Sequence, residues 1–312
     1  MHIIAKVLPV IFLFGLGILL HHTRFIREQT IQDIKKLVIN VSLPAVLFLA
    51  FSKVTLQAGY LIIVLVVFTA CALALLIGRL LCRILRMPSP FFPMLMTGFE
   101  AGMMGYAIYG AVFGVDNIYK FGIVDLGQVT FVFFVLVTLL ERQSAAQPKP
   151  LTVVALNFFK TPVILAILLG VLANQSGAAG WMEAQPLAGS ILRTLEMLGA
   201  LTTPLIAMVI GYEMRVQKHN LGRPLLTIAV RQALWVPFGL LLNLLLVQGV
   251  LHLDRSFQAA VMTMMVLPPP FVTPLFMQEA LTEDREYVVN TLSLCTLVTL
   301  VAFSLVSFFY QG

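Results

Sequence analysis

Ten predominantly apolar runs divide the chain, at residues 3–20, 36–53, 58–80, 90–113, 120–140, 154–174, 187–212, 223–249, 257–280 and 287–310. A helix that crosses the hydrocarbon core of a bilayer needs about 20 mostly apolar residues, so the pattern predicts ten transmembrane helices. The separators are short and polar, as in HHTRFIREQTIQDIKK, ERQSAAQPKP and LTEDRE. Barrel strands would alternate apolar and polar positions, and LIIVLVVFTACALALLIG does not. Lys6 before the first run gives it the look of a signal peptide. His21, His22 and Thr23 follow in place of a small-residue cleavage pattern, so that run is expected to remain as a helix.

Composition agrees. The 312 residues are 60% apolar and 11% charged, with a mean hydropathy of +0.97, whereas soluble domains are about 45–50% apolar and about 25% charged. A soluble enzyme, a disordered chain and a nucleic-acid binder are thereby excluded. The net charge of +6 is best read through its distribution. Arg24, Arg27, Lys35, Lys36, Arg79, Arg83, Arg86, Arg142, Lys149, Lys160, Arg215, Lys218, Arg223 and Arg285 lie on one side of the predicted spans. Lys6, Lys53, Lys120, Arg193 and Arg255 lie on the other. Positive charge marks the cytoplasmic side, so the expectation is a multi-pass protein of the cytoplasmic membrane with both termini outside. Cys71, Cys82 and Cys295 lack C-x-x-C spacing and are expected to be reduced, buried thiols.

The two halves carry matching punctuation. Pro9 and Gly17 in span 1 have the same spacing as Pro162 and Gly170 in span 6, and Ser42-Leu43-Pro44 in span 2 parallels Thr202-Thr203-Pro204 in span 7. Five spans per half is an odd number, so the second half enters the membrane in the opposite direction. Inverted repeats of this kind are common in secondary transporters. The expected organisation is a five-helix repeat over 1–140, a linker over 141–153 and an inverted five-helix repeat over 154–312.

Spans 4 and 9 are the most interrupted. In VMTMMVLPPPFVTPLF, Pro268, Pro269 and Pro270 remove backbone N–H groups and push their predecessors away from helical geometry. A second half-helix is expected to restart at Pro274 with Thr273 as its cap. Irregular backbone at bilayer depth persists only inside protein or beside a wet cavity, so the break is either a kink or a binding site. In FFPMLMTGFEAGMMGYAIYGAVFG, Gly98, Gly102, Gly105 and Gly110 allow unusual backbone angles or close packing. Glu100 lies mid-span, where an unpaired carboxylate costs about 2.5–3.5 kcal/mol on insertion scales. It is therefore a candidate ligand, a proton carrier, or a structural hydrogen-bonding group.

Arg231, two turns into span 8, either snorkels to the cytoplasmic face or pairs with a carboxylate or a substrate anion. Asp125 and Gln128 share a helix face near the outer end of span 5, as a solvated helix start or a coupling group. Asn243 and Asn290 are expected to bridge helices. Met94, Met96, Met103, Met104, Met262, Met264 and Met265 crowd both breaks, as packing or as pocket lining. His2, His21, His22, His219 and His252 fall near span ends, and neither H-E-x-x-H nor G-x-S-x-G occurs. No enzyme, metal site or organic cofactor is expected.

The motifs NVSLPAVLF, GMMGYAIYGAVFG, DLGQVTFVF, LTTPLIAMVIGYEM, RQALWVP and VLPPPFVTPLF, in this order, resemble the auxin efflux carrier family, the bacterial permeases grouped with plant PIN-type auxin exporters. The resemblance implies two inverted five-helix repeats whose broken helices 4 and 9 cross at the membrane centre, in a bile-acid-symporter-like arrangement of scaffold and transport domains. It also implies transport of small organic anions such as auxin, malonate or malate, and it admits a homodimer. The family's span-4 crossover reads like N-x-G-x-x-G-x-P, with the asparagine contacting the substrate carboxylate. Here Glu100 stands at the asparagine position and Ala107 at the proline position, while Gly102, Gly105, Pro268 and Pro269 match.

The fold class expected is therefore an all-α polytopic membrane protein with broken crossover helices 4 and 9. The function expected is a secondary transporter of a small carboxylate working by alternating access. Its site would comprise Glu100, Ala101, Gly102, Gly105, Pro268, Pro269, Pro270, Phe271 and Thr273, with Glu100, Arg231 or Asp125 as coupling groups and the proton or sodium as coupling ion. The alternatives are a transporter of an amino acid or organic cation with Glu100 as counter-charge, or a ligand sensor that moves nothing. The partners expected are a small-molecule substrate and the lipid bilayer, with no nucleic acid.

Overall fold

The computed structural model describes residues 2–143, 150–214, 221–277 and 282–311. Lys149, Arg215, Lys218 and His219, residues 144–149 of the expected linker, the end of span 9 at 278–280, and residue 281 lie outside the described residues. So do the side chains of His2 and Lys6. Everything described is helix or connecting loop. In chain order, α1 is His2–Thr23, α2 is Glu28–Ser52 and α3 is Gly59–Ile84. The fourth, α4, is broken into Phe92–Leu95 and Ala101–Phe113, and α5 is Val115–Gln143. In α6, Leu151–Lys160 and Pro162–Gln175 meet at 64°. Pro186–Glu213 forms α7 and Gly222–Gln248 forms α8. The broken α9 comprises Arg255–Val266 and a short turn Thr273–Phe276, and α10 is Thr282–Tyr310. Six of these, α2, α3, α5, α7, α8 and α10, are long and apolar enough to cross a membrane as single helices, and α6 joins them if its two arms count as one span. The chain is an all-helical polytopic membrane protein.

Two elements depart from the hydropathy pattern. Residues 28–35, read as part of a polar separator, are the first two turns of α2. They are helical because Ile31 is fully buried and Ile34 packs on the core, while Glu28, Gln32 and Lys35 fall with Ile31 at helical spacing along a single face. The helix widens at Val38–Ser42, immediately before Pro44, which cannot donate to the carbonyl a turn earlier. The second departure is the bend in α6. Thr161 precedes Pro162 and takes extended backbone angles (φ −64°, ψ 128°), so the helix ends there and restarts with proline in its first turn.

The helices pack in two groups. In the first, α1 lies along the second half of α7, and α6 lies along α2, which also meets the first half of α7. Glycine allows both close approaches: a Cβ at Gly17 would collide with the backbone of Met208 and Tyr212, and one at Gly170 with the backbone of Phe48 and Ser52. In the second group, α3 packs on α5 and on the start of α4, while α8, α9 and α10 pack on one another and α9 on α5. The outer faces of α3, α8 and α10 present Leu61, Leu65, Leu244, Leu245, Val301 and Leu305, an apolar surface suited to lipid.

Candidate functional site

The site lies where the two broken helices meet. The first half of α9 is capped by Asp254, whose carboxylate accepts the Phe257 N–H at 2.9 Å. It ends at Leu267, held extended (φ −66°, ψ 153°) by the proline after it. The first half of α4 ends at Leu95, and the chain then turns through Gly98 at φ +66°. Glycine is required here twice over. The angle is left-handed, and a Cβ would lie 2.8 Å from the Pro270 ring. The two breaks are therefore in direct contact.

Each break strands backbone carbonyls in an apolar interior, where every unpaired group is costly. Side chains from neighbouring helices take them up one by one. Arg231 of α8, fully buried, donates to the carbonyls of Leu95 (2.9 Å), Gly98 (2.6 Å) and Leu267 (3.2 Å), and its guanidinium stacks 4.9 Å from the Phe99 ring. Trp235 Nε1 donates to the Met96 carbonyl at 2.9 Å. On the α9 side, the Val266 carbonyl accepts Thr299 Oγ1 (2.6 Å) and Gln232 Nε2 (3.4 Å). Arg231 thus neither snorkels nor pairs with a carboxylate. It is a positive charge spanning the carbonyl ends of both breaks, where the helix dipoles are negative.

Glu100 serves the opposite polarity. Its Oε1 accepts the Met103 N–H at 3.1 Å, capping the second half of α4, and its Oε2 accepts the Phe271 N–H of the α9 break at 2.7 Å. Its own N–H donates to the Pro268 carbonyl at 2.9 Å. One residue thereby ties the two crossovers together through both backbone and side chain. It remains half-buried, and the position beside it at Gly102 is open, with Glu100 Oε1 the one atom within 4.0 Å of where a Cβ would stand.

The other expected site residues divide. Ala101, Pro268, Pro269 and Pro270 are buried at the contact, and Phe271 is half-buried. Gly105 is a packing position, facing Phe121 and Leu267. Thr273 does not cap a second half-helix. Its hydroxyl donates back to the Pro270 carbonyl at 3.1 Å, and residues Thr273–Phe276 form only a short 3-10 turn. Asp125 is not a solvated helix start: it is buried, accepting Tyr106 Oη (2.9 Å) and Gln128 Nε2 (2.6 Å), and Gln128 in turn accepts the Phe99 N–H at 3.1 Å. That chain of bonds leads from α5 into the α4 break. The seven methionines around the breaks are all buried and belong to the core. Asn243 joins α8 to α9 and α10 through the Gln258 carbonyl and Tyr310 Oη. Among the described residues, no three His, Cys, Asp or Glu side chains assemble as a metal site.

A cavity of about 600 Å³ opens beside the crossing. Its wall from the first helix group includes Gln32 and Lys35 of α2 and Glu213 of α7. Its wall from the second includes Phe271 and Pro274 of the α9 break, with Arg285, Ser293 and Thr296 of α10. Lys35 Nζ meets both oxygens of Glu213 at 3.0 and 3.1 Å, and Gln32 donates to the same carboxylate at 2.9 Å. Of these wall residues Phe271 belonged to the expected site, whereas Gln32, Lys35, Glu213 and Arg285 were absent from it because they sit in segments that hydropathy assigns to separators. The helical spacing of Glu28, Ile31, Gln32 and Lys35 along one face was the available signal.

A cavity with charged and apolar walls between two helix groups, ending on two broken helices in contact, is the anatomy expected of a carrier. The membrane transport protein family matches the chain over residues 2–309. The chain belongs to this family, the auxin efflux carriers. No curated protein matches it. As an auxin efflux carrier family member, the chain is a membrane transport protein.

Proposed function

We propose that this protein is a secondary transporter that carries a small organic anion, a carboxylate in the first instance, across the cytoplasmic membrane by alternating access. The observation that carries the reading is the cavity, which runs between the two helix groups and ends on the α9 break at Phe271 and Pro274. Substrate would rest there, against the second helix group, and that group would move relative to the first. An anionic cargo is supported by the donors at the crossing. The Met103 and Phe271 N–H groups already hold a carboxylate, that of Glu100, and Lys35 and Arg285 line the approach. Lysine and arginine bias makes the side bearing Glu28 and Arg285 cytoplasmic, so the cavity is the inward-facing vestibule and both termini lie outside.

The test is uptake of labelled malate into proteoliposomes, at acidic and alkaline pH and in sodium or potassium buffer. Concentrative or exchange flux that is lost when Thr296 is replaced by a bulky Trp supports the reading. A folded protein with no flux of any carboxylate in a panel would overturn the anionic cargo. The half-exposed Glu100 beside the open position at Gly102 favours a second reading, transport of an amino acid or organic cation with Glu100 as counter-charge. Competition by amines but not carboxylates would select it.

A further inference from the structure

Glu100 is bonded as a bound anion would be. Its two oxygens take one peptide N–H each, from different broken helices, at 3.1 and 2.7 Å. Neither donor belongs to a side chain that could swing away. Both are fixed by the backbone of the crossing, and Phe271 itself lines the cavity. The carboxylate is not sealed off, since Glu100 is half-buried and the space at Gly102 beside it is open. An ordinary helix cap would be a short side chain such as Ser, Thr, Asp or Asn, bonded to its own helix. Here a longer carboxylate caps its own helix with one oxygen and reaches across to a second segment with the other.

We propose that Glu100 is a tethered competitor: its carboxylate occupies the paired N–H donors that would otherwise receive the carboxylate of a substrate, and it sets the selectivity of the site by having to be displaced. The inference rests on the anionic-cargo reading above for its transport consequence, but not for its structural content. A tethered group acts at a high effective concentration, so a free monocarboxylate competes poorly in the native protein. A ligand with a second anionic group that engages Lys35 or Arg285 has the added binding energy to replace it. The site thereby selects dianionic over monoanionic cargo.

The experiment compares the full-length protein with Glu100→Gln and Glu100→Gly, reading malate binding and, separately, melting temperature in formate against chloride. Glu100→Gln keeps the side-chain length and one acceptor but removes the charge, and it should bind malate about tenfold more tightly, a change of about 1.4 kcal/mol. Glu100→Gly vacates both donors and should be stabilised by formate but not chloride, while the native protein responds to neither. Malate binding within twofold of native in Glu100→Gln overturns the proposal. Loss of malate binding in that variant also overturns it, since Glu100 would then be a ligand contact. If Glu100→Gly does not fold, the Gln variant decides. The two readings separate cleanly. A native protein that moves no carboxylate alongside a formate-specific effect in Glu100→Gly sinks the cargo and leaves the competitor. Malate flux with unchanged affinity in Glu100→Gln does the reverse.

Discussion

Gly17 meets α7 in the way that Gly170 meets α2. A side chain at Gly17 would strike the Met208 carbonyl and the Tyr212 amide, and one at Gly170 would strike the Phe48 carbonyl and the Ser52 amide. Met208 and Tyr212 stand in α7 at the same distance from Thr202 as Phe48 and Ser52 stand from Ser42 in α2. The two contacts therefore repeat in register across the halves of the chain, each half lending its first helix to the second helix of the other. Gly170→Ala should lower stability by about 1–3 kcal/mol through forced backbone displacement. Gly15→Ala, with nothing within 4 Å of its Cβ, should be neutral or slightly stabilising. Melting curves in detergent, with Gly15→Ala as the control, check both.

Arg231 donates to three carbonyls at the ends of two broken helices. Arg231→Met should leave Leu95, Gly98 and Leu267 unsatisfied, at about 1–3 kcal/mol for each buried group, and abolish recovery of folded protein. Arg231→Lys retains the charge but not the planar fork, and should give a folded protein with a depressed melting temperature. Size-exclusion profiles of the two variants decide it. Equal, native-like behaviour of both would contradict the clamp.

The Lys35–Glu213 pair is a quarter exposed on each side, and pairs of that kind contribute little to stability, about 0–1 kcal/mol. Lys35→Met should accordingly melt near the native temperature while reducing carboxylate uptake by about tenfold. If the role were structural, Glu213→Gln in the same chain would restore uptake. Persistent loss of flux in the double variant would assign Lys35 to the substrate path.

Asp125 is a structural group in this arrangement, satisfied by Tyr106 and Gln128. Tyr106→Phe and Asp125→Asn should each lower the melting temperature while leaving the pH profile of flux in place. A flattened pH profile in Asp125→Asn, with stability kept, would restore it as a proton carrier.

Much of the fold was legible because lipid and proline impose strong constraints. Long apolar runs, a triple proline and a lone mid-span carboxylate located the helices, the breaks and Glu100. What each polar group does was not legible. Arg231 was expected to snorkel or to pair with an anion and Asp125 to start a solvated helix or to couple, yet one closes carbonyl ends and the other is held by Tyr106 and Gln128, because their partners are atoms brought near only by tertiary packing. Thr273 looked like a cap since it precedes Pro274, but the nearer Pro270 carbonyl claimed its hydroxyl. The first turns of α2 were hidden because a window average sees only their polarity and not the face on which Ile31 lies.

The side chains that satisfy the two breaks have a mechanical consequence. Thr97 bonds to the Cys71 carbonyl of α3, and Gln128, Arg231, Trp235 and Thr299 bring α5, α8 and α10 to the same few peptide groups. Bending either crossover alone would break several of these bonds at once, so the six helices of that group have little internal compliance. The seam with the other four has fewer polar ties among the hydrogen bonds described. It is built largely of apolar contacts such as Phe51 against Gly122, with the long 3.3 Å bond from Thr203 to the Ala107 carbonyl crossing it. If the two groups move against each other as proposed, sliding would fall on this seam, and a load applied at the crossing would be passed on as displacement of a whole body.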